Sequence, residues 1–300
     1  MNNLNTIMVP ASSANLGSGF DVVGACLNVW NEISFSKSKF NIENNGYGSK
    51  SINNTKDNLI YRSYLHASNI LGEKEIELSI KCQNSIPTSG GLGSSSSAVI
   101  AGILLAYSVH NIEINKDDIF QIASDIEGHP DNVGPALYGG ITLGFKDRKK
   151  WFISKIQYNK NLKIVSFVSD QKILTSESRA SLPNTISRKD AVYNITRAAL
   201  LVNSLNTNDF ALLKYAFQDK LHEQYRTPDI KGYSTISKAA MNAGAISTYL
   251  SGSGPTISSI TLDKELTINY EMLDAANKLN LSGNGIISSI SEKGAHLIEK

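Results

Sequence analysis

The stretch PTSGGLGSSSSAVIAG, residues 87–102, constrains this chain more than any other. Three glycines and four consecutive serines stand directly before an apolar run that reads as a buried helix. Gly90, Gly91 and Gly93 lack Cβ atoms, so the backbone there can take unusual φ values and let a ligand approach closely. The serines open the helix, where Ser side chains cap orphan N–H groups. A helix N-terminus carries about half a positive charge and several free donors, which suits phosphate. The apolar residues after Ser97 would bury the helix and fix those donors. The stretch is not G-x-x-x-x-G-K-[ST], since no Lys follows the glycines, nor G-x-G-x-x-G, because Ser96 stands at the third Gly. A Gly-rich turn capping a structural helix is the plainer account of the same residues.

Two further patches of small residues weigh against that account: PASSANLGSGFD (10–21) and LSGSGPT (250–256). Three such loops in one chain are hard to explain as turns alone. A fourth patch, DIEGHPDNVGPALYGG (125–140), puts Asp125, Glu127, His129 and Asp131 within seven positions. Carboxylates supply hard oxygen ligands for Mg²⁺, and His129 or Asp131 can hydrogen-bond a substrate hydroxyl. A polar helix end before a Pro turn would also produce this pattern. Zinc has no support, because His and Cys do not cluster.

The periodicities are mixed throughout. Residues 5–36 read as strands broken by a Gly-rich turn, and 41–58, rich in Asn, Gly and Ser, as a turn or exposed hairpin. Helices are predicted from Asp57 or Asn58 to near Gly72, through the apolar run to about His110, and from Lys116 to Ile126. EIELSIKCQNSIP alternates as a strand does, and YGGITLGF is another. The second half repeats the mixture, with strands at LKIVSFVSD and TISSITL. Its helices are DAVYNITRAALLVNSL, DFALLKYAFQDKLHEQY and TINYEMLDAANKLN. Three hundred residues exceed what one core usually serves. Strands and helices mix in both halves, so the class is α+β or α/β with two domains, 1–150 and 151–300.

Charge excludes some functions. The net charge is +2, with one basic knot at Lys146–Lys150 that reads as a solvated turn, so a nucleic-acid partner is not expected. MNNLNTIMVP lacks the basic-then-apolar pattern of a signal peptide, and the run Ala98–Tyr107 is far short of a membrane span. Cys26 and Cys82 read as buried thiols in a reducing, cytoplasmic setting.

The succession P-x-S-x-A-N-L-G-x-G-F-D, P-x-x-G-G-L-G-S-S, E-G-H-P-D-N-V and L-S-G-S-G-P-T resembles the GHMP small-molecule kinases, from about Thr6 to beyond Thr256. Within them, PASSANLGSGFDVVG with EGHPDNVGPAL resembles the branch acting on L-homoserine. That resemblance implies ATP-dependent phosphorylation of a side-chain hydroxyl, with Mg²⁺, in threonine biosynthesis. It implies a first, ATP-binding domain with a left-handed βαβ unit and a second, ferredoxin-like, substrate-binding domain. Homodimers are common in the family.

Site residues follow from the resemblance position by position. Pro87, Thr88, Ser89, Gly90, Gly91, Leu92, Gly93, Ser94, Ser95, Ser96 and Ser97 would wrap the ATP phosphates. Ser95 would bind the metal, with either Asp125 or Glu127 as its carboxylate partner. Asn15 and Asp21 would hold the hydroxyl and amino group of the substrate, faced by His129 and Asp131. Arg179 and Arg226, helped by Thr175, would clamp the substrate carboxylate. Asp131 is the candidate base, or a positioning group only. Two rivals remain open: a kinase for another small alcohol such as mevalonate, and a nucleotide-binding regulator without catalysis. The second would have lost the metal and loop residues that are present here.

Overall fold

The computed structural model describes residues 5–298. Strands β1 (Asn5–Ala14), β2 (Val23–Lys37) and β3 (Asn41–Gly46) precede helix α1 (Leu59–Ile70) and β4 (Leu78–Asn84). Then come α2 (Ser94–Val109), α3 (Lys116–Glu127), α4 (Val133–Tyr138) and the hairpin β5 (Ile141–Asp147)–β6 (Lys150–Ile156). After β7 (Lys163–Ser169) lie α5 (Thr175–Ala180), α6 (Arg188–Thr207), α7 (Phe210–Ala216), α8 (Glu223–Arg226) and α9 (Tyr233–Asn242). The order finishes with β8 (Ser247–Leu250), β9 (Ile257–Thr261), α10 (Glu265–Lys278), β10 (Gly283–Ser289) and β11 (His296–Ile298).

The strands form two sheets. The first runs β11-β1-β2-β4-β3, with β5 on β2 and β6 on β5. Its parallel pair is β3–β4, joined by the crossover helix α1. The second sheet, β10-β7-β9-β8, is antiparallel throughout. Its βαββαβ chain order on a 4-1-3-2 strand order is the ferredoxin-like pattern. The fold class is therefore α+β with two sheets, as the family resemblance implied.

Local chemistry sets the helix starts. Asn58 accepts from the N–H of Ile60 to cap α1, and Asn115 accepts from those of Asp117 and Asp118 to cap α3. Helix α2 is buried almost all round, from Ser96 to Val109. Such a helix can only sit inside a core, and α1 crosses it closely: a Cβ on Gly102 would lie 2.2 Å from the Ile60 carbonyl oxygen. One apolar cluster fills the first sheet and α1–α4, and another fills the second sheet with α9 and α10. A third contains Leu16 and Leu92 from the first half with Ile164, Phe217 and Tyr249 from the second, so it welds the two halves together.

Several expectations change. Within 41–58, residues 41–46 form a real strand whose Ile42 is buried, an Asn-rich edge supported by its ladder to β4 rather than by propensity. The helix expected over 209–225 is broken into α7 and α8, because the Asp219 carboxylate accepts the N–H groups of Leu221, His222 and Glu223 and starts a new turn. The serines of the opening stretch do not cap α2; Gly93 is its N-cap, in the left-handed region at φ 70°. Cys26 and Cys82 are free, buried thiols, each pushed by burial up to about 12. The first sheet draws strands from both sides of position 150, since β6 lies on β5 and β11 on β1.

Candidate active site

The glycine–serine loop leaves β4 and enters α2. With Gly93 as N-cap, no side chain competes for the first N–H groups of the helix, and these are the ones that lack an intrahelical acceptor. The serine hydroxyls turn elsewhere. Ser95 Oγ donates to Glu127 Oε1 at 2.7 Å and Ser96 Oγ to Oε2 at 2.5 Å, so the end of α3 is fastened to the start of α2.

The loop 250–256 braces the glycines from behind. Ser251 Oγ donates to the Gly91 carbonyl at 2.7 Å, and Thr256 Oγ1 donates to that of Gly90. In a trans peptide the C=O and N–H point in opposite directions. Pinning those two carbonyls therefore turns the N–H groups of Gly91 and Leu92 away from the brace. The N-terminal patch joins the same knot: Ser13 Oγ lies 2.8 Å from both Tyr249 OH and Ser251 Oγ, and Gly252 N–H donates to Ala14 O at 3.2 Å. The three small-residue loops thus meet in space. Close approach of backbones explains their composition.

Charged groups gather at the other end. Asn15, at φ 74°, donates from Nδ2 to Gly252 O (2.7 Å) and accepts the Asp21 N–H at Oδ1 (3.1 Å), which shapes the turn carrying Asp21. Asp21 receives Arg179 in a two-pronged pair, at 2.8 and 2.9 Å. That bonded carboxylate raises the Arg179 guanidinium above its ordinary value. Arg226 is buried, and burial, with Arg179 nearby, draws it below its own. His129 Nδ1 donates to Asp131 Oδ1 at 2.7 Å. Burial alone would lower the His129 pKa, but the Asp131 bond and the charges of Asp131, Glu127 and Asp21 hold it above the usual value. Thr175 Oγ1 is 3.3 Å from Ser253 Oγ.

A cavity of about 450 Å³ connects the two ends. It is lined by Thr88–Gly91 and Gly93–Ser97 of the loop, by Glu127, His129 and Asp131, and by Asn15, Asp21, Thr175, Arg179 and Arg226. Pro87 and Leu92 belong to the loop without lining the cavity. Asp125 stands apart: its Oδ1 takes Lys146 Nζ at 2.9 Å and Trp151 Nε1 at 2.8 Å, on the outer side of α3. Two positions, about half a helical turn, separate inward from outward here, and sequence spacing did not choose between Asp125 and Glu127.

Other lining residues carried no signal on their own. Asn31, in the middle of β2, accepts the N–H groups of Ser85 and Ile86 (2.8 and 3.0 Å) and fixes where the loop begins. Ile33, Asn44, Ile52, Leu59 and Asn84 form a further, mixed apolar and amide wall beside it. Asn132, not among the expected site residues, also lines the cavity, and its Oδ1 accepts Ser12 Oγ at 2.8 Å.

The chain is similar to known proteins over its whole length. The family described as GHMP kinases N terminal domain matches residues 58–140. A homoserine kinase of Clostridium beijerinckii is 35% identical over 295 residues, 98% of each chain. One of Clostridium botulinum strain 657 is 38% identical over 251 residues, 84% of each. The crystal structure of homoserine kinase from Cytophaga hutchinsonii superposes with a TM-score of 0.89 at 26% identity, covering 99% of this chain and 98% of that one.

Proposed function

The chain belongs to the homoserine kinase family of the GHMP kinases, and on that premise we propose that it transfers the γ-phosphoryl group of ATP to the side-chain hydroxyl of L-homoserine. The products are O-phospho-L-homoserine and ADP, a step toward threonine. The observation that carries this reading is one cavity joining a donor-rich glycine loop to paired opposite charges. An α-amino acid is a zwitterion. Arg179 and Arg226 suit its carboxylate, and Asp21 its ammonium, with Asp131 left for the side-chain hydroxyl. Mevalonate has no ammonium to offer Asp21, and the relatives above are homoserine kinases.

The chain needs a divalent metal with its nucleotide, and we assign Mg²⁺. The oxygens of Ser95 and Glu127 suit a hard cation, whereas Asp125 is engaged with Lys146 and Trp151. Among the described residues no group of three or more His, Cys, Asp or Glu could cage a metal. Ser95 and Glu127 would hold the ion beside the loop. When bound, it neutralises phosphate charge.

The chain's own groups then do the rest. Loop N–H donors hold the phosphates, and Asn15, Asp21, His129, Thr175, Arg179 and Arg226 orient the amino acid. The homoserine oxygen attacks the γ-phosphorus as the bond to the bridging oxygen of ADP breaks. Asp131, aligned by His129, takes the hydroxyl proton. Asp131, Asn15 and Asp21 are the catalytic residues of this proposal. We keep 1–150 as the ATP-binding domain and 151–300 as the substrate-binding domain, with Asn15, Asp21, His129 and Asp131 of the first also facing the substrate. No helix among the described residues is long and apolar enough to cross a membrane; the free thiols support a cytoplasmic enzyme. A homodimer is proposed on family grounds alone.

The test is ADP release from ATP with Mg²⁺ and L-homoserine, D-homoserine, L-threonine or mevalonate offered separately. Turnover with L-homoserine alone is expected. Turnover only with mevalonate would sink the substrate assignment, and none with any of them would sink the kinase.

A further inference from the structure

We propose that His222 is a positioning residue for the amino-acid end of the cavity, a neutral imidazole that ties Arg226 to the turn at Gly17. The proposal rests on the reading of Arg226 as a carboxylate-binding group. It goes beyond that reading by naming what aims the guanidinium.

His222 is fully buried, just before α8. Its Nε2 lies 3.2 Å from the Gly17 carbonyl oxygen, in the turn between Asn15 and Asp21. A carbonyl only accepts, so Nε2 carries the hydrogen. Its Nδ1 lies 3.4 Å from Arg226 Nη1. A guanidinium only donates, so Nδ1 must be bare. Two independent neighbours therefore select the same neutral tautomer. Burial holds the imidazole below its usual value, and the Arg226 charge works the same way against Asp219. Asp219 does not claim the ring: its Oδ2 is 3.8 Å from Nε2 and is occupied by three backbone N–H groups.

The rest of the shell fits the same role. The Phe20 ring stacks on His222 at 5.0 Å and lies 5.2 Å from the Arg226 guanidinium, supporting both from one element. Arg226 donates from Nε to Ser178 O and from Nη1 to Gly252 O, each at 3.3 Å. All three partners of Arg226 are neutral. They fix its direction without cancelling its charge, in contrast to Arg179, which is paired with Asp21. A carboxylate at position 222 would quench the charge; an imidazole acceptor leaves it for the ligand.

The experiment is steady-state kinetics of H222Q, H222N, R226A and H222Q/R226A, with melting curves for each. Gln carries an N–H to the Nε2 position but loses the acceptor at Nδ1, whereas the Asn oxygen overlays Nδ1. H222Q is expected to raise the KM for L-homoserine roughly tenfold, the scale of one hydrogen bond to a charged group. Its kcat should stay within about threefold and its ATP KM unchanged, and H222N should recover most of the loss. In the R226A background H222Q should add less than about twofold. An equal effect with and without Arg226, a matching rise in ATP KM, or H222N as harmful as H222Q would overturn the proposal. If R226A itself leaves the homoserine KM unchanged, the role of Arg226 falls and takes the proposal with it. If R226A raises it and H222Q does not, only the proposal falls. Should H222Q not fold, the cycle is run with H222N, whose homoserine KM must stay within about threefold.

Discussion

Gly91 and Gly72 share a positive φ, 78° and 75°, but not an environment. A Cβ on Gly72 would meet nothing within 4 Å. One on Gly91 would stand 2.3 Å from the Ser251 carbonyl oxygen and 3.2 Å from that of Gly254. Both Gly→Ala changes bear the left-handed strain of about 1–2 kcal/mol. G91A must also open its contact by about 1 Å to reach ordinary van der Waals separation. The obstacle is backbone, held by the Ser251 N–H bond to Thr256 O, so the glycine loop is what moves. Overpacking adds about 1–3 kcal/mol, and a 1 Å misplacement of a positioning element costs roughly 10²-fold in rate. G91A should therefore lower kcat/KM about 10²-fold and Tm by about 8 °C, while G72A lowers Tm by about 4 °C with kcat/KM intact. Coupled ADP release and scanning calorimetry read both. If G91A keeps more than a third of the activity, or G72A loses as much, the close-approach reasoning is wrong.

Three other outcomes are expected. Asp131→Asn should lower kcat about 10²-fold, the low end for a lost general base; a drop below tenfold with homoserine affinity intact would make Asp131 a positioning group. Glu127→Gln should raise the apparent Mg²⁺ requirement by more than tenfold, in the range of lost metal-shell contacts, while Asp125→Asn stays near wild type; equal effects would undo the choice between them. Glu223, half-buried between the Leu250 N–H and Tyr233 OH, is pushed by its partial desolvation from 4.5 up to about 8. Its folded pKa lies above the unfolded one, so its contribution is full below pH 4.5 and is lost as pH rises toward 8. Glu223→Gln should accordingly stabilise the protein more at pH 8 than at pH 5, by on the order of a few kcal/mol; a gain independent of pH would refute it.

Much of the site was legible because its composition is dictated by close approach. Three loops of Gly and Ser cannot be packed backbone to backbone with anything larger, so their meeting left a mark in the letters. Asn31 left none, since an asparagine inside a strand looks the same whether its amide faces water or caps a loop. Asp125 and Glu127 differ by two positions on α3, and only the packing of that helix on α2 and on Trp151 decides which faces the cavity. The break between α7 and α8 was hidden for a related reason. The apolar spacing of DFALLKYAFQDKLHEQY continues through it, and a single carboxylate, Asp219, overrides it. His222 was passed over because a lone histidine in a helical pattern reads as core.

Strand β1 is flanked by β2, its immediate successor in the chain, and by β11, made only after both helical layers and the whole second sheet. During synthesis one side of β1 finds its partner within seconds, and the other stays bare until residues 296–298 emerge. A nascent chain thus carries an open sheet edge for most of its translation. Holding that edge from neighbouring chains on the same message is a burden the finished molecule no longer displays.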